Sequence, residues 1–205
     1  IIRQMNYKRS KYFTTSNNKR IKYFFLNKKS QITVVFFHGF MSDMIGKKPT
    51  TIQNFCKKKK INFLKFEYSG HGKSSGKFIN GNISKWTNEA KQLIKVKCKK
   101  SSKLIFIGSS MGAWIGLNLF NSFKNKIKGF VGIAAAPEFL EELMWKKFDK
   151  KIKKIILNNK VYNLELGEYI YPITKQLIFD GRRNKIKNNK INIEILLFHG
   201  SKDDV

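Results

Sequence analysis

The chain has 205 residues, 41% of them hydrophobic, and carries 42 Lys and Arg against 13 Asp and Glu, for a formal charge of +29. This length suits one sizeable core, and the basic balance does not point to a nucleic-acid partner, because all but five of the cations are lysines scattered along the whole chain where phosphate and base recognition favours clustered arginine. Cys56 and Cys98 make neither a disulfide framework nor a zinc site, and no apolar run approaches the roughly 18 residues of a membrane helix, so the expectation is reduced thiols, no metal and no transmembrane segment, in the cytoplasm or alternatively the mitochondrial matrix.

Residues 1–11 read as a disordered or non-native start. Residues 12–15 and 21–26 flank Ser16-Asn17-Asn18-Lys19-Arg20, and this spacing predicts an antiparallel hairpin. The run 32–37, Ile-Thr-Val-Val-Phe-Phe, is too uniformly apolar for a half-exposed strand and reads as a central one covered on both faces. It leads straight into His38-Gly39-Phe40. A helix is expected over 50–60, where Ile52, Phe55 and Cys56 stand at helical spacing, and a strand over 61–68, which completes a β-α-β unit. The glycine-bearing loop 69–76 lacks the G-x-x-x-x-G-K-[ST] order of a phosphate-binding loop. Over 83–98, Ile83, Trp86, Ala90, Leu93 and Ile94 fall on one helical stripe.

The apolar residues 104–107 run into Gly108-Ser109-Ser110-Met111-Gly112, followed by Ala113, Trp114, Leu117 and Phe120 at helical positions. Five residues of G-x-S-x-G mean little alone, but a strand before and a helix after make a nucleophile elbow, a sharp turn that lifts the Ser110 hydroxyl clear of the sheet. Side chains at 108 or 112 would collide at the tight crossing, while the Met111 N–H is left pointing at a bound carbonyl oxygen. Further strands are expected over 127–134 and 191–198. Strands alternating with helices imply a mostly parallel, doubly wound sheet whose ligand sites lie beyond the carboxyl ends of the strands, where His38, Ser110 and Asp203 all fall. The stretch 137–189 exceeds a single crossover and carries Phe139, Leu140, Leu143, Met144, Trp145 and Phe148. It either packs on the domain or forms a lid, with Met144 and Trp145 lining an acyl pocket.

With His38-Gly39-Phe40, the elbow Gly108 to Gly112, Tyr171-Pro172-Ile173-Thr174 and His199-Gly200-x-x-Asp203 taken together, the chain resembles the α/β-hydrolases, more narrowly the serine hydrolases related to the mitochondrial acyl-protein thioesterase. The resemblance implies a single α/β-hydrolase domain over 12–205, with Ser110 as nucleophile, Asp203 as triad acid with Asp204 as its rival, and the N–H groups of Phe40 and Met111 as the oxyanion hole. It also implies a small acyl ester or thioester substrate and no cofactor. Oligomeric state stays open. The family's histidine follows the acid after a further strand, and His38, His71 and His199 stand elsewhere in that order. The sequence-level expectation is therefore a domain lacking its last strand and histidine loop, inactive as it stands.

Overall fold

A computed structural model describes residues 11–186 and 192–201. The N-terminal hairpin joins β1 (Lys11–Thr14) to β2 (Arg20–Leu26) antiparallel, with Lys11 opposite Tyr23 and Thr14 opposite Arg20. The apolar run forms β3 (Ile32–Phe37), and five of its six residues are buried, as a central strand covered on both faces requires. Helix α1 (Lys47–Lys58) and β4 (Asn62–Phe66) follow, β4 lying parallel to β3 and antiparallel to β2. Next come α2 (Ile83–Lys97), β5 (Lys103–Ser109), α3 (Met111–Asn118), the short α4 (Phe120–Phe123) and β6 (Ile127–Ile133). After the intervening segment, β9 (Glu194–Phe198) pairs in parallel with β6. Among the described residues the main sheet has seven strands in the order β1-β2-β4-β3-β5-β6-β9. The expected mostly parallel sheet with an antiparallel N-terminal hairpin is what forms.

Alternation along β5 explains the two layers. Leu104 and Phe106 face the larger core with Trp86, Leu93 and Trp114 from α2 and α3, whereas Ile105 and Ile107 face a smaller cluster with Val34, Phe36, Phe63 and Cys56 of α1. Both cysteines are free and buried. Burial raises the Cys56 thiol to about 11 and the Cys98 thiol to about 12, so neither is a nucleophile at neutral pH.

Between β6 and β9 the chain is more structured than one insertion. A π-helical turn (Leu140–Trp145) leads to α5 (Lys150–Asn159), then to a separate hairpin of β7 (Val161–Leu166) and β8 (Tyr169–Thr174), then to α6 (Lys175–Arg183). Ion pairing holds this unit together where the Arg182 Nε donates to Glu141 at 2.7 Å. Trp114, at the back of the elbow helix, donates its indole N–H to the Asn184 carbonyl at 2.8 Å, so the segment is also fastened to the core.

Candidate active site

Ser110 sits between β5 and α3 with φ 50° and ψ −121°. A non-glycine residue there is strained by about 1–3 kcal/mol and persists only when its surroundings over-determine it. They do so here. The Ser110 N–H donates to the Ile133 carbonyl at 3.0 Å, and its own carbonyl accepts from the Ala113 N–H at 2.9 Å. Glycine at 108 and 112 is a matter of space. A Cβ on Gly108 would overlap the backbone of Ala113, and one on Gly112 would overlap the carbonyls of Phe37 and His38. The elbow is thus wedged against the end of β3.

The chain leaving β3 completes the site from the other side. A Cβ placed on Gly39 would lie 3.5 Å from the Ser110 Cβ, so the 38–40 loop passes directly beside the serine. His38 pins that loop. It is fully buried, its Nδ1 bonds the Gly39 carbonyl at 2.8 Å and its Nε2 accepts from the Tyr68 N–H at 3.4 Å. With both ring nitrogens engaged, His38 positions the loop and has no nitrogen left for Ser110. Over the loop, the Phe40 ring lies edge-on to Phe78 at 5.1 Å and to Phe139 at 5.2 Å, and stacks on Tyr171 at 6.0 Å. Phe78, Phe139 and Tyr171 thus form an aromatic wall around Phe40 beside the 38–40 loop.

The glycine loop 69–76 is closed to phosphate by its own residues. Glu67 accepts the Lys73 N–H at 2.7 Å, which fills the place an anion would take. His71 beside it is also buried, with Nδ1 3.3 Å from the Ser69 carbonyl. Burial lowers His38 to about 3, helped by the neighbouring His71, and lowers His71 to about 4. Since both folded values lie below that of a free histidine, the unfolded chain takes up protons first as the pH falls. Stability is thus lost from about pH 6.5 down to about pH 4, at about 1 kcal/mol per pH unit for each ring. Buried Glu67 and Glu89 are raised by desolvation and act in the opposite sense, so the readout is a difference. Urea unfolding at pH 7 and pH 5 should show a larger loss for the native chain than for His38→Gln/His71→Gln, and equal losses would contradict the assignment.

The structure brings together Ser110, the Met111 N–H at the start of α3 and the Phe40 loop. Asp203 and Asp204 lie outside the described residues. Met144 and Trp145 are half-buried on the π-helical turn, and the Trp145 ring is flanked by Arg182 at 4.8 Å and Lys153 at 5.7 Å, while the aromatic groups against Phe40 are Phe78, Phe139 and Tyr171. Sequence reasoning places Phe139 on the apolar stretch that either packs on the domain or forms a lid, and gives Phe78 and Tyr171 no role in the site. Only the alternation of the later hairpin, which turns Tyr171 inward, could have indicated one of them. No cluster of ligating side chains that could hold a metal occurs among the described residues, and no helix among them is long and apolar enough to cross a membrane.

The Hydrolase_4 family model, described as serine aminopeptidase, S33, matches residues 28–174. The chain belongs to that family. Human mitochondrial palmitoyl-protein thioesterase ABHD10 is 27% identical over 177 residues, covering 84% of this chain and 57% of that protein. The pimeloyl-[acyl-carrier protein] methyl ester esterase of Wigglesworthia glossinidia brevipalpis is 36% identical over 96 residues, 47% of this chain and 35% of that one. A crystal structure of a putative hydrolase from Agrobacterium vitis S4 superposes with a TM-score of 0.82 at 23% identity, covering 93% of this chain and 90% of that one. Mouse α/β-hydrolase domain-containing protein 10 gives 0.81 at 23% identity, over 96% and 79%. These likenesses establish an α/β-hydrolase fold. This Hydrolase_4 chain spans 57% of the length of the human thioesterase it matches.

Proposed function

We propose that this Hydrolase_4 chain is the nucleophile-bearing part of a serine hydrolase that cleaves carboxylic ester or thioester bonds of small acyl substrates. The observation that carries this is the strained Ser110 backbone, φ 50° and ψ −121°, held between Gly108 and Gly112 against the 38–40 loop. Ser110 Oγ attacks the acyl carbonyl and its proton passes to a histidine base. The N–H groups of Phe40 and Met111 hold the oxyanion, the alcohol or thiol leaves with the proton, and water then releases the acid from the acyl-enzyme. Asp203, or its neighbour Asp204, orients the base. Both ring nitrogens of His38 are engaged, His71 is buried in the 69–76 loop with its Nδ1 on the Ser69 carbonyl, and His199 follows β9 ahead of the acid in sequence. The base in this reading is a histidine outside the 205 residues, which alone should turn over esters very slowly.

The segment 137–189 acts as the lid in this reading, with Phe139 and Tyr171 against Phe40 and with Met144 and Trp145 further along the same unit. Relatives named as a thioesterase and a methyl ester esterase support acyl ester chemistry. The cytoplasm is the proposed location, and the mitochondrial matrix is the alternative, supported by the mitochondrial name of ABHD10. A direct comparison tests the bond type. The complete protein should hydrolyse a p-nitrophenyl ester and a thioester of the same acyl group, and leave an aminoacyl anilide intact; faster turnover of the anilide would move the assignment to peptide bonds.

A further inference from the structure

On the outer side of the later hairpin lies a groove of about 690 Å³, within the size range of single-ligand sites. Its floor is apolar, formed by Ile79, Val161, Pro172 and Phe179, and its rim carries Lys160, Lys175 and Arg183. None of the described residues lining it bears a carboxylate. Glu165, the next acid on that face of β7, stands two residues beyond Asn163 and outside the lining. Strand alternation separates this groove from Ser110. Tyr171 and Ile173 turn toward the core and Phe40, whereas Pro172 and Thr174 turn into the groove.

The groove is also built rather than casual. Gln176 Nε2 donates to the Ile79 carbonyl at 2.5 Å and ties the start of α6 to the 3-10 turn (Phe78–Asn80). Lys175 donates to the Leu157 carbonyl at 3.3 Å, which holds its ammonium group 6.0 Å from the centre of the Phe179 ring. Ile79, Val161 and Phe179 are 44%, 38% and 36% exposed, and Lys175 and Arg182 lie over the Phe179 ring at 6.0 and 5.1 Å, so the apolar surface is bordered by cations. Apolar residues together with Lys160, Lys175 and Arg183, joined by the neutral Asn163, Thr174 and Gln176 and by no carboxylate among the described lining residues, match one ligand chemistry, an apolar chain ending in an anion.

We propose that this groove binds a single straight-chain carboxylate, its tail along the apolar lining residues Ile79 and Pro172 and its head against the Lys and Arg side chains that α6 presents to the groove. The site is distinct from the Ser110 cleft and does not depend on what Ser110 does. Because the groove shares the Phe78–Asn80 turn with the aromatic wall around Phe40, an occupant would brace that wall from behind.

Isothermal titration of the 205-residue chain with decanoate, kept below its micelle-forming concentration, tests this. The expected result is saturable binding of one decanoate, no comparable binding of decyltrimethylammonium, and at least about tenfold weaker binding in Lys175→Glu/Arg183→Glu, a change of about 1.4 kcal/mol. Ile79→Asp, at an exposed position remote from those charges, should weaken binding as well, with unfolding midpoints checked for both variants. Unchanged affinity in the variants would overturn the proposal, because decanoate would then be bound elsewhere. So would equal binding of the cationic detergent. Binding to phosphatidylglycerol vesicles without binding of monomeric decanoate would also overturn it, and would make the patch a membrane-facing surface.

Discussion

Ser110→Ala is expected to lower kcat for ester and thioester hydrolysis in the complete protein by a factor of about 10⁶, the scale of removing the serine of a catalytic triad in subtilisin. The fold should survive, because the Ser110 backbone contacts to Ile133 and Ala113 do not involve its side chain. Ser110→Gly separates function from stability more sharply. Glycine adopts φ 50° without a Cβ penalty, so that variant should be inactive yet about 1 kcal/mol more stable than the parent. Urea unfolding alongside progress curves checks both. Retained hydrolysis in either variant would remove Ser110 from the mechanism, and a less stable glycine variant would contradict the strain.

Gly112→Val is expected to destabilise the fold by about 4 kcal/mol or more. The added Cβ would meet the carbonyls of Phe37 and His38, which belong to the central strand and the loop that follows it and cannot swing aside as a side chain could. Gly129→Ala makes the control, since the nearest atoms to its new Cβ are 3.9 Å away, an ordinary contact. It should change stability by less than about 1 kcal/mol. Similar losses for the two, read as denaturation midpoints at constant slope, would show that the elbow is not wedged against β3.

Much of this architecture is legible in the sequence because its signals are local. The 32–37 run is apolar at every step except Thr33, and only a strand buried on both faces needs that, so β3 appears with its bounds intact. The helical stripe from Ile83 to Ile94 gives α2 to within a residue at its far end. Gly108 and Gly112 flank a serine at the one spacing that lets strand and helix cross closely, and the positive φ of Ser110 follows from that crossing. The hairpin of β7 and β8 is where a signal goes unread. Val161 to Leu166 alternates apolar and polar residues before Gly167-Glu168, yet the surrounding stretch of apolar and lysine-rich residues reads as one long insertion.

The aromatic wall is illegible for a different reason. Phe40, Phe78, Phe139 and Tyr171 come from four separate segments, and each alone is an ordinary apolar residue. Their meeting is decided by how β3, the 3-10 turn, the segment after β6 and the later hairpin stack. The same holds for His38. Its position after a strand suggests a structural residue, but its double commitment to Gly39 and Tyr68 exists only once β3 and β4 are paired. Local chemistry can be read along the chain, whereas tertiary contact has to be seen.

The central claim is that Ser110 is the nucleophile of an acyl-transfer site. Its most direct test is mass spectrometry of the complete protein after treatment with a fluorophosphonate, with the adduct mapped by peptide sequencing. The account predicts one adduct, on the peptide carrying Gly108-Ser109-Ser110-Met111-Gly112 and localised to Ser110, absent from Ser110→Ala. An adduct on Ser109 or on another residue, or equal labelling of the Ser110→Ala protein, would contradict it.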